Sequence, residues 1–71
     1  MQTKLLVLLK ENGLTQHWLA EFLEISDKQI GEKIKGNVPF KSDEMFKISN
    51  YFNLAIENIF LPRMYENRTK N

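Results

Sequence analysis

The sequence predicts an all-α fold, a compact domain of five short helices, and three observations carry that prediction. Thr15 and Ser26 each stand where a helix N-cap belongs. Each is followed by apolar residues at helical spacing, Leu19, Ala20 and Leu23 after the first and Ile30 and Ile34 after the second. Gly36 then falls at the C′ position, where the chain must turn left-handed to end a helix. Together these describe two short helices joined by a tight turn.

In chain order, helix one is expected from Thr3 to Asn12, with Leu5, Leu8 and Leu9 on one face and Gly13 as its C′ residue. Leu6 and Val7 are surplus to that face. Helices two and three are the capped pair. After them Asn37, Val38 and Pro39 form a loop whose proline stops the helix from continuing, and Phe40 anchors that loop to the core. Helix four begins at Ser42, a good N-cap, with Asp43 and Glu44 in the first turn, where the helix dipole favours negative charge. Its apolar face is Met45, Phe46, Ile48 and Phe52. A short fifth helix around Ile56 to Phe60 offers Ile56, Ile59 and Phe60, and Pro62 ends it. Residues 1–61 are therefore expected to form one domain and residues 62–71 a flexible tail.

Seventy-one residues leave room for one modest core, since a chain this short buries only about 60% of its unfolded surface. With 42% hydrophobic and 27% charged residues, the composition excludes a disordered chain and a membrane span. The apolar run Leu5 to Leu9 behind Lys4 is shorter than the roughly seven residues a secretory h-region needs, so no targeting segment is expected. The absence of cysteine rules out disulfides and thiolate metal sites, and the single histidine cannot make a metal site alone. No cofactor, metal or small-molecule substrate is expected, and a cytoplasmic location follows. There is no cysteine nucleophile, second histidine or glycine-rich phosphate loop to suggest catalysis.

Net charge is +1, and it is unevenly placed. Residues 1–61 hold seven lysines against eight acids, a balance of −1, while the tail adds Arg63, Arg68 and Lys70 against Glu66. Within the body, Lys28, Lys33, Lys35, Lys41 and Lys47 gather around helix three and the loop after it, opposed by Glu32, Asp43 and Glu44. The charges describe a local basic face and no global one.

The segment Leu14-Thr15-Gln16, then Leu19-Ala20, Ile25-Ser26, Ile30 and Gly36 resembles the helix-turn-helix domains of the lambda-repressor and Cro family. The likeness covers roughly residues 4–61. The family's small glycine between the two helices is Glu24 here, at a cost of about 1 kcal/mol if its φ is positive. The family's frequently paired core Arg and Glu are replaced by Leu9 and Ile34. Exchanging both members of a buried pair for apolar residues can be neutral or stabilising, whereas losing one strands a charge. Downstream, Phe40, Glu44, Tyr51-Phe52-Asn53-Leu54 and Ile59-Phe60-Leu61 resemble small regulators of bacteriophages and prophages of Gram-positive bacteria.

That resemblance implies DNA contacts at Gln16, Ser26, Asp27, Lys28, Gln29 and Glu32. The helical period agrees on location, because Ile30 and Ile34 set the buried side of helix three and leave Asp27, Lys28, Gln29, Glu32 and Lys35 pointing elsewhere. In a major groove Gln29 would suit adenine N6 and N7, Lys28 guanine O6 or N7, and Asp27 or Glu32 the N4 amine of cytosine. Lys35, Lys41 and the amide at Asn37 would meet phosphates. The two acids bring negative charge close to phosphates unless a base or a lysine offsets them. Gly31 sits inside the same helix, either to admit a close backbone or as a tolerated residue.

Trp18 and Phe22 lie one turn apart on helix two, at positions the family usually fills with polar residues. With Leu6 and Val7 they can form a patch for a protein partner, or they can cover the tail through Met64 and Tyr65. His17 beside them is expected to be an ordinary surface residue. Two functions stay open. One is a sequence-specific DNA-binding transcriptional regulator, similar to Cro or a short phage repressor, that occupies a double-stranded operator as a homodimer through Ile56, Ile59, Phe60 and Leu61. The other is an antirepressor or modulator that keeps the fold and binds a companion phage repressor.

Overall fold

A computed structural model describes residues 1–60 of the chain. Four α-helices make up most of it: α1 (Thr3–Glu11), α2 (Gln16–Leu23), α3 (Asp27–Lys35) and α4 (Ser42–Phe52). Among the described residues there is no strand, so the all-α expectation holds. The expected fifth helix is a single 3₁₀ turn, Ile56–Asn58. The expected tail lies outside the described residues.

The helix ends follow from their local chemistry. Thr15 caps α2 by accepting the backbone N–H of Trp18 at 3.0 Å. Ser26 caps α3 in a reciprocal box: its Oγ accepts the N–H of Gln29, and its own N–H donates to the Gln29 side-chain oxygen, both at 3.1 Å. Gly13 and Gly36 take the left-handed conformation that closes α1 and α3, with φ of 68° and 95°. Glu24 ends α2 with φ 61°, so the strain foreseen for a non-glycine residue at this joint is present.

Helix α4 departs from expectation at its start. Lys41, not Ser42, occupies the cap position, and the Glu44 carboxylate accepts the Lys41 N–H at 2.9 Å. Lysine has no acceptor, so only this half of a capping box can form. Glu44 is drawn inward by a second partner, described below.

One core gathers all the elements. Leu5 and Leu9 come from α1, Leu19, Ala20 and Leu23 from α2, Ile30 and Ile34 from α3, and Met45 and Ile48 from α4. Leu9 and Ile34 are both buried. Phe40 is buried as expected and meets the Phe60 ring edge-on, with centroids 5.1 Å apart. Phe46 was expected on the core face of α4 but is 57% exposed, while Ile59 and Phe60 fill the space at the end of the domain. The chain start is tied in by the Gln2 N–H, which donates to the Ile34 carbonyl at 2.7 Å. That bond joins α1 to the last turn of α3.

Candidate nucleic-acid interface

Helix α3 presents an outward polar face because its inward face is fully used. Ile30, Lys33 and Ile34 are buried, whereas Asp27, Lys28, Gln29 and Lys35 are exposed and Glu32 is half-exposed. Ser26 at the cap and Gln16, the first residue of α2, are exposed as well. Lys28, Gln29, Glu32 and Lys41 line one concavity of about 290 Å³ together with the Lys33 and Glu44 pair. Gln16 and Lys35 lie outside that lining. Neither Lys28 nor Lys41 forms an ion pair with another described residue.

Several expected readers are already engaged within the chain. The Gln29 side-chain oxygen accepts the Ser26 N–H, and the Ser26 hydroxyl accepts the Gln29 N–H. The cap therefore competes with bidentate recognition of adenine by Gln29, which needs the same oxygen. Asp27 is held by His17, whose Nδ1 lies 2.9 and 3.2 Å from its two carboxylate oxygens. Glu32 accepts the Asn37 side-chain N–H at 3.0 Å and lies 3.9 Å from Lys35 Nζ. The Asn37 backbone N–H donates to the Glu32 carbonyl at 3.0 Å. Asn37 thus turns its amides onto the end of α3, not outward as a phosphate contact requires. Both acids of the face have a partner inside the protein, which lowers the repulsion they would exert on phosphates.

Lys33 is the main correction to the basic face. It is only 4% exposed, and its Nζ lies 2.6 Å from Glu44 Oε1, the same oxygen that accepts the Lys41 N–H. The ammonium also stands 5.9 Å from the centre of the Phe40 ring. This lysine binds α3 to α4, and its charge is committed to Glu44 at the wall of the concavity. The signal for burial was present in the sequence, since Ile30, Lys33 and Ile34 follow the i, i+3, i+4 rule of one helix face, but nothing in it named Glu44 as the partner.

Gly31 is partly buried in the same helix, yet a Cβ built on it meets nothing within 4 Å. No neighbour in the fold requires glycine there. Gly31→Ala is expected to raise stability by about 0.5–1 kcal/mol, read as a higher urea midpoint. A loss of stability would mean that the turn of α3 is constrained in a way the open space does not reveal.

The apolar patch expected from Leu6, Val7, Trp18 and Phe22 divides in two. Trp18 stacks on Phe22 with centroids 5.1 Å apart, and Tyr51 of α4 closes on both at 5.0 and 5.3 Å. Lys47 Nζ lies 5.6 Å from the centre of the Phe22 ring. Packing within the chain is thus satisfied by α4, while Met64 and Tyr65 fall outside the described residues. Leu6 packs against the core, and Val7 lines a separate groove with Leu8 and Leu54. Among the suggested dimer contacts, Ile59 and Phe60 are completely buried and leave no side-chain surface for a second copy. Ile56 is half-buried and Leu61 lies outside the described residues.

No helix among the described residues is long and apolar enough to cross a membrane, and no group of three or more His, Cys, Asp or Glu side chains among them is placed to hold a metal ion. The four helices, with α2 and α3 joined by a tight turn, define a small helix-turn-helix domain. No family model and no curated relative matches the chain. Among solved structures, a transcriptional regulator from Listeria innocua superimposes with a TM-score of 0.76 at 24% identity, over 99% of this chain and 63% of that one. The likeness establishes the fold, and the chain spans less than two thirds of that protein's length.

Proposed function

We propose that the protein is a DNA-binding transcriptional regulator that occupies an operator through α3, in the manner of Cro or a short phage or prophage repressor. The observation that carries this reading is the exposed polar face of α3, where Lys28, Gln29 and nearby Lys41 border one concavity on a doubly capped helix-turn-helix. Such a helix enters a major groove, with Lys28 on guanine and with Lys35 and Lys41 on phosphates. The amide nitrogen of Gln29 keeps its hydrogen-bond donors for a base edge. Two copies would set their α3 helices about 34 Å apart on a near-palindrome. The regulator from Listeria innocua, which shares the fold, supports this reading, and the work of such a protein belongs in the cytoplasm without catalysis.

The test is a mobility shift on the duplex upstream of the protein's own gene. Lys28→Ala is expected to weaken specific binding by about 1–3 kcal/mol while leaving the fold intact. Lys41→Ala should reduce the slope of log affinity against log salt by about 0.9, the signature of one lost phosphate contact. Unchanged affinity in the first variant and an unchanged slope in the second would remove α3 as the reading helix. Gln29→Ala informs less, because it also opens the α3 cap at a cost of about 1 kcal/mol.

A second reading, an antirepressor or modulator that binds a companion phage repressor, is favoured by the exposed Tyr51 ring on the half-buried Trp18 and Phe22 at the edge of the core. Its sign is an absent shift by this protein alone together with an altered shift of the companion.

A further inference from the structure

His17 and Asp27 bridge the joint between α2 and α3, and the geometry of that bridge favours one protonation state. The ring offers Nδ1 to Asp27 at 2.9 Å and Nε2 to Glu21 at 3.3 Å. Both partners are carboxylates, which accept and do not donate when ionised. A neutral imidazole carries one N–H and can satisfy one of them, whereas an imidazolium donates to both.

We propose that His17 is a positioning residue for the reading helix: as an imidazolium it draws Asp27 back against α2, so that operator binding takes up a proton at His17. This rests on the DNA-binding reading above. In the protonated form the three side chains sum to −1, and in the neutral form to −2, set at the end of α3 that would enter the groove. Loss of the proton therefore leaves one of the two carboxylates without its donor, adds one unit of negative charge at that end, and raises the repulsion toward phosphate. Asp27 becomes a restrained charge and not a reader of cytosine.

The charged groups acting on the ring are Asp27 from α3 and Glu21 from its own helix. The hydrogen bond to Asp27, then the charges of Asp27 and Glu21, raise its pKa above the ordinary 6.5, and its slight desolvation opposes them. Because the folded value is raised, the stabilisation from this bridge is complete below about pH 6.5 and is lost as pH rises through the folded value. A duplex held nearby raises the value further, and each unit of that rise corresponds to about tenfold in affinity.

His17 is the only histidine in the chain, so its ring proton resonances titrate without overlap in an NMR spectrum of the whole protein. Free protein is expected to titrate above the ordinary histidine value, and Asp27→Asn should bring it down. On the duplex upstream of its own gene, wild-type affinity should fall roughly tenfold from pH 6 to pH 8.5. His17→Gln should abolish that dependence and bind at the weaker, high-pH level, while Asp27→Asn should bind more tightly than wild type at high pH. A His17 that titrates normally, a flat wild-type profile, or an Asp27→Asn variant weakened equally at both pH values would each overturn the proposal. If no DNA is bound at either pH while the NMR titration shows the Asp27-dependent rise, the DNA-binding reading fails and the linkage to affinity falls with it.

Discussion

Lys33→Ala is expected to destabilise the domain by about 3–5 kcal/mol, since it leaves Glu44 ionised and buried without its partner. A domain of about sixty residues is stable by roughly 3–9 kcal/mol at the usual 0.05–0.15 kcal/mol per residue, so this one change removes much of what holds it folded. Glu44→Ala should be at least as damaging, because Glu44 also receives the Lys41 N–H that starts α4. The double variant Lys33→Met with Glu44→Leu strands no charge. Its loss should be limited to that N–H bond, about 0.5–1.5 kcal/mol, offset by apolar burial. Urea unfolding of the three variants separates the cases. A Lys33→Ala midpoint equal to that of wild type would show that water reaches the pair and that its burial is not energetically real.

Phe60→Ala carries the second large effect, about 3–5 kcal/mol, from a ring with no exposed surface that packs edge-on against Phe40. The measurement also decides between core and interface. If Phe60 is core, the melting temperature drops at every protein concentration. If Phe60 instead joined two copies, sedimentation would show a weakened dimer while the monomer kept its melting temperature. The first result is expected, and it would move any dimer contact away from Ile59 and Phe60.

The helices were legible because their signals are local. Thr15, Ser26, Gly13 and Gly36 act within four residues along the chain, through hydrogen bonds and backbone conformation that no distant contact needs to complete. The buried faces of α2 and α3 were legible for the same reason, since Leu19, Ala20, Leu23, Ile30 and Ile34 share faces by period alone. The location of the candidate site follows from that period. Its chemistry does not, because a charged residue on a helix can be read by spacing but its partner cannot.

The sequence by itself therefore determined an all-α domain with two capped helices in tandem and a polar outer face on the second. Tertiary structure decided the rest. It turned Lys33 inward onto Glu44, eleven residues away, and removed it from the basic face. It paired Asp27 with His17 across the joint, folded Asn37 onto Glu32, and gave Trp18 and Phe22 a partner in Tyr51. It exposed Phe46 and enclosed Phe60, although both read as apolar helix residues. The physical reason is common to all of these: caps and periodicity are fixed by neighbours along the chain, whereas the partner of a charge or a ring depends on which helices meet and at what distance.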